Sequence, residues 1–170
     1  MKNTTEYRIG TVDLKGKVDI TDPCYDKNTW CRMTTDCEPG IYTGYAYISD
    51  EGRWSKRVSR ISIFKDDIKW DLDEMEWIGQ IGVDAGMAGF FRDKPDFPDD
   101  EWMEFLVEAD VFKTKDEYNY DKDFYLVPYG VFSSSGYGDG VYNVYANENR
   151  SAFTIVFISE NEEDDDDWED

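Results

Sequence analysis

Histidine does not occur anywhere in this chain of 170 residues. Its absence excludes the Ser-His-Asp triad, the Cys-His dyad, histidine-ligated zinc and any imidazole general base. Chemistry here would have to run on carboxylates, Tyr, Lys, Ser or a hard metal ion. Cysteine is scarce: Cys24, Cys31 and Cys37 are an odd count without the close Cys-x-x-Cys pairs of a zinc knuckle, and they read as ordinary thiols. Basic residues are few, with Lys+Arg 18 against Asp+Glu 39 and a formal net charge of −21. That deficit disfavours direct binding to nucleic acid or an anionic membrane, because neutralising phosphates takes Lys and Arg. No apolar run approaches membrane-spanning length and Met1–Glu6 has no secretion-signal stretch, so a cytoplasmic location is expected.

What is abundant is aromatic surface, with Tyr 12, Phe 10 and Trp 6 in a chain that is 40% hydrophobic. This is enough for a buried core, and one domain over residues 1–159 is expected. Short segments rich in aromatic and β-branched residues, punctuated by Gly, Asp, Asn and Pro, read as strands. They are Tyr7–Leu14, Lys17–Thr21, Ile41–Ser49, Arg57–Phe64, Ile68–Leu72, Trp77–Val83, Phe124–Phe132, Val141–Ala146 and Ala152–Ile158. The last is apolar on both faces and belongs in the middle of a sheet. One amphipathic helix is expected near 98–112: Pro98 suits the first turn, Asp99, Asp100 and Glu101 complement the dipole, and Trp102, Phe105, Leu106 and Ala109 form a stripe. The predicted fold is mainly β (α+β), a single-domain antiparallel β-sandwich or open barrel with that helix packed on it. A surface loop is expected between Lys113 and Asp123. In residues 160–170 everything but Asn161 and Trp168 is acidic, so a solvated tail without strand or helix is expected.

Two glycine-framed aspartate turns stand out, Gly82-Val83-Asp84-Ala85-Gly86 and Ser135-Gly136-Tyr137-Gly138-Asp139-Gly140-Val141-Tyr142. Upstream are Asp22-Pro23, a strand-ending turn, and Pro39-Gly40-Ile41-Tyr42. Asp22, Asp84 and Asp139, with hydroxyls such as Ser134 and Ser135 and with Tyr142 nearby, are ligand types that Ca²⁺ or Mg²⁺ takes. The spacing of a linear calcium loop is missing, so such a site would be assembled in three dimensions. The alternative, favoured here, is that these aspartates accept backbone N–H bonds and lock the turns. The stretch from Arg53 to Arg60 contains no acid. Strict alternation puts Lys56 and Arg60 on one face, and Arg57 and Arg60 are candidates to bind a phosphate or carboxylate; the alternative, favoured here, is a solvated hairpin whose cations pair with neighbouring carboxylates. Residues 133–140 have neither the lysine nor the following helix that a nucleotide phosphate loop needs.

In their order, these turns resemble the bacterial domain-of-unknown-function family numbered four-two-four-one, from about Lys17 to Ile158. The two aspartate turns are the specific part. Tyr137 stands where that family tends to have Trp, and Asn143 where it has Pro. The resemblance implies a mostly β fold and brings no reaction with it.

Two functional classes follow. The preferred one is an acidic cytosolic binding protein, of immunity or inhibitor type, docking on a partner with a basic surface. The alternative is a small-ligand or divalent-cation site, extending to a metal-dependent hydrolase of an anionic substrate, in which Asp22, Asp84 and Asp139 hold the ion and Arg57 or Arg60 the substrate.

Overall fold

A computed structural model describes residues 4–26, 29–54, 56–96, 99–109 and 123–159. Its strands are β1 (Thr4–Leu14), β2 (Lys17–Thr21), β3 (Met33–Asp36), β4 (Gly40–Asp50), β5 (Lys56–Lys65), β6 (Glu76–Val83), β7 (Met87–Phe91), β8 (Phe124–Val127), β9 (Gly130–Ser134), β10 (Gly140–Ala146) and β11 (Ala152–Val156), with one helix, α1 (Asp99–Glu108). They form a six-stranded sheet ordered β1-β4-β5-β11-β10-β6 and a five-stranded sheet ordered β3-β2-β7-β9-β8. Every pairing is antiparallel and neither sheet closes into a barrel, so of the two predicted forms the fold takes the sandwich.

Strand alternation builds the layers. On β4, Tyr42, Ala46 and Ile48 point into the core between the sheets, while Tyr45 and Tyr47 stand on the outer face. The inter-sheet core is completed by Ile61 and Ile63 of β5, Phe153 and Ile155 of β11, Phe90 of β7 and Val131 of β9. β11 does lie inside the large sheet, between β5 and β10. On the outer face of the small sheet, Phe105, Leu106 and Ala109 cover Phe91, Tyr125 and Phe132, so the helical stripe is core. The predicted helix ran over 98–112; Pro98 and residues 110–112 lie outside the described residues, as do most of the predicted loop and the acidic tail.

Four elements differ from the sequence reading. Ile68–Leu72 is not a strand. Both sides of β5 are already paired, by β4 and β11, so the chain leaving it has no edge to join. Asp66 and Asp67, at φ 55° and 58°, turn it across the outer face of the large sheet instead. There Trp70, Leu72 and Met75 pack on Tyr45, Tyr47, Phe64 and Tyr145, and a 3-10 turn spans Leu72–Glu74. Phe124–Phe132 is a hairpin, broken at Pro128-Tyr129 because proline cannot donate to the ladder. β3, with the short sequence Met-Thr-Thr-Asp, and β7 went unpredicted.

The two aspartate turns are where the chain changes sheets. Residues 84–86 carry it from β6 in the large sheet to β7 in the small one, and residues 135–139 return it from β9 to β10. Because β6 pairs with β10 up to Val83↔Gly140 and β7 with β9 from Met87↔Ser134, the two crossovers run side by side at one end of the sandwich.

Candidate functional site

The paired crossovers are held by backbone hydrogen bonds. Ser135 N–H donates to Gly86 O at 3.1 Å, joining one arch to the other. Gly138 N–H donates to Ser135 O at 3.1 Å, the Ser135 hydroxyl to Gly138 O at 2.8 Å, and the Tyr142 hydroxyl to Gly138 O at 2.5 Å. Gly136 sits at φ 65°, where a side chain would also crowd Ile158 at 3.0 Å, which is why glycine is needed there. Ser134 is tied to Asp123 O through its N–H at 2.8 Å. Ser135 is buried, and Ser134 and Tyr142 are half-buried, with their polar groups spent on these bonds.

Asp22 is fully buried beneath the arches. Its Oδ2 accepts the N–H of Asp84 at 2.8 Å and of Ala85 at 2.6 Å, and its Oδ1 accepts the N–H of Cys24 at 2.9 Å. It is a turn lock linking the end of β2 to the first crossover. Asp84 and Asp139 project from the arches into solvent, and neither carboxylate bonds to a described residue. Among the described residues the acidic oxygens that come within 4.8 Å of one another are those of Asp71, Asp73 and Glu74, not those of Asp22, Asp84 and Asp139.

The two candidate arginines part company. Arg57 reaches the second arch, with Nη1 3.4 Å from Gly136 O and its guanidinium 4.9 Å from the centre of the Tyr137 ring. Tyr137 in turn donates to Glu51 Oε1 at 2.9 Å. Arg60 lies instead on the outer face of the large sheet, 4.4 Å above the Tyr47 ring. The β4–β5 register shifts between the Tyr47↔Arg60 and Ile48↔Val58 pairs, leaving Ser59 as an extra residue. This bulge reverses the alternation, so Arg60 faces outward although Val58, two residues earlier, faces the core. Lys56, in phase with Val58, is therefore not on the face of Arg60.

Arg60 lines a cleft of about 580 Å³ on that outer face, together with Asn143 and Tyr145 of β10, Asp71 and Asp73 of the crossing segment, and Ser159. Its guanidinium makes no hydrogen bond or ion pair with any described residue, so the Tyr47 stack is its support. Asn143 is oriented by two donors on one oxygen: Trp77 Nε1 at 3.0 Å and Gln80 Nε2 at 3.1 Å both reach its Oδ1. Its amide NH₂ consequently remains as a donor at the cleft. On the crossing segment, Glu74 Oε1 accepts the N–H of Asp71 at 2.8 Å and Glu74 N–H donates to Asp71 O at 3.0 Å, which fixes the turn that carries Asp73.

Sequence reading missed Asn143, Tyr145, Asp71 and Asp73. The Asp-x-x-Glu spacing of Asp71 and Glu74 was a visible turn-start signal, whereas the cleft depends on a bulge and a crossing segment that local pattern does not reveal. It also missed a buried charge cluster on the outer face of the small sheet. There Asp19 pairs with Arg32 at 3.1 Å, accepts the Thr34 hydroxyl at 2.7 Å and accepts the backbone N–H of Lys94 at 3.0 Å. Lys94 is fully buried and its ammonium donates to Pro95 O at 2.6 Å. Burial, and then the charge of Arg32, pull its pKa down to about 8. Nearby, burial and the Asp22 carboxylate push the Cys24 thiol far above its ordinary value, and all three cysteines are free.

Searches of family models, of curated proteins and of solved structures each found no match to this chain. Among the described residues no helix is long and apolar enough to cross a membrane.

Proposed function

We propose that this protein is a cytoplasmic small-ligand binding protein whose site is the outer-face cleft and whose anchor is Arg60. The observation that carries the reading is a guanidinium without an ion-pair partner among the described residues, lining a cavity in a chain of net charge −21. With carboxylates in such excess, an arginine that has none as a partner among the described residues, stacked on Tyr47 in a cleft that Asn143 also lines, is a preorganised seat for a carboxylate or phosphate. The volume suits this role, since small-molecule sites run to roughly 300–1,000 Å³.

The reading is tested by thermal shift of the full chain against inorganic phosphate, dicarboxylates, phosphorylated metabolites and free amino acids. A saturable rise in melting temperature that Arg60→Gln abolishes is the expected result, because a ligand of the native state stabilises it by mass action. No rise with any of them would contradict it.

A second reading, docking on a partner with a basic surface, is favoured by the charge of −21 together with Trp30, which is 90% exposed. Salt-sensitive capture of a basic protein that Arg60→Gln leaves intact would support it.

A further inference from the structure

We infer that the ligand of the cleft is a zwitterion, an α-amino acid or short peptide with free ends. This rests on the proposed role of Arg60 and extends it to the other charges in the same cavity. Alongside the unpaired guanidinium, the cleft is lined by Asp71 and Asp73, and neither pairs with a cation among the described residues. The Asp73 carboxylate makes no hydrogen bond with any of them. Arg60 and these two acids share one cavity without forming an ion pair with each other. Opposite charges held apart in one cavity suit a ligand that itself carries opposite charges at separate points.

Each half has its own support. Arg60 is held in place by Tyr47, 4.4 Å from its guanidinium, and comes from β5. The acids come from the crossing segment, whose turn is pinned by the reciprocal bonds of Asp71 and Glu74. A ligand carboxylate on Arg60, within reach of the Asn143 amide, and a ligand ammonium shared by Asp73 and Asp71 set an opposite charge against each charged residue that lines the cavity. A purely anionic ligand would leave the two acids repelling it, and a purely cationic one would meet the guanidinium. Tyr145 adds aromatic surface to the lining of the same cavity.

The test is isothermal titration of the full-length protein, Arg60→Gln and Asp73→Asn with a panel of L-amino acids and dialanine, each free, N-acetylated and C-amidated. Inorganic phosphate is titrated in parallel. The expected result is that at least one free zwitterion binds saturably and that blocking either end weakens it at least about ten-fold. Arg60→Gln should cost free and amidated forms unequally, and Asp73→Asn should cost the free form but not the N-acetylated one, as a double-mutant cycle of ligand and protein requires. If N-acetylated compounds or phosphate bind as tightly as the free forms, with Asp73→Asn silent, the zwitterion is overturned while anion binding at Arg60 stands. If amidated compounds bind as tightly and Arg60→Gln is silent, both are overturned, as they are if nothing binds. Asp73 bonds to no described residue, so Asp73→Asn is expected to fold normally, and its unfolding midpoint serves as the control.

Discussion

Asp22 has the highest structural stake of the residues singled out in the sequence. Its carboxylate is fully buried and satisfies three backbone donors, from Cys24, Asp84 and Ala85. Each buried donor stranded without a partner costs about 1–3 kcal/mol, so Asp22→Ala is expected to lower stability by roughly 3 kcal/mol or more in urea unfolding. Asp84→Ala and Asp139→Ala, at exposed positions, are expected to stay within about 0.5 kcal/mol of the parent. Equal losses at all three would show that Asp22 is not the lock. Lys94 gives a pH signature. Its folded pKa of about 8 lies below the ordinary lysine value of 10.5, so between those limits the unfolded chain holds a proton that the folded chain has released. Stability from this group therefore rises as pH increases from about 8 toward 10.5. Tyr125 and Tyr129, pushed up to about 12 chiefly by burial, act oppositely: above the ordinary tyrosine value of 10 they take stability away as pH rises. Urea midpoints at pH 7 and pH 9 should thus increase in the parent and not in Lys94→Met; a flat parent profile would contradict the assignment.

Among the elements, the crossovers and the helix place the rest. α1 closes the outer face of the small sheet through Phe105, which stacks on Phe132 at 5.3 Å and on Trp102 at 5.4 Å. Phe105→Ala is expected to cost about 3–5 kcal/mol, measured as a shift in the denaturation midpoint, and a loss below about 1 kcal/mol would mean that the helix is not an integral layer. The strands whose alternation or double-faced burial is strong were legible in the sequence: β2 matches its prediction residue for residue, and β11 takes its central place. β3 was not, because a four-residue segment with three polar residues is a strand only by virtue of pairing with β2. Ile68–Leu72 has the period of a strand and is excluded from being one by the occupied neighbours of β5. The same limit applies to the candidate site. The glycine-framed turns announced themselves through composition, but what they build is a sheet-to-sheet crossover. The cleft is assembled from a bulge at Ser59, an oriented Asn143 and a crossing segment, each set by tertiary pairing.

For the whole molecule, the governing quantity is the charge of −21. Nine of the acids fall in residues 160–170, and removing that segment brings the formal charge from −21 to −12. An anion seat on Arg60 has to work against this field, so deleting the segment is expected to tighten the binding of inorganic phosphate or a dicarboxylate at low salt. The gain should shrink as ionic strength rises and the Debye length falls to about 10 Å at 0.1 M. An affinity indifferent to both deletion and salt would place the anion outside this field. The central claim, that the outer-face cleft and not the crossover arches is the binding site, is tested most directly by an amide NMR titration of the full chain with inorganic phosphate and with the tightest ligand of the calorimetric panel. Saturable shifts concentrated at Arg60, Asn143, Tyr145 and Asp71–Asp73 are the predicted result. Shifts centred on Asp84–Gly86 and Ser135–Asp139, or a response that rises linearly without saturating, would contradict it.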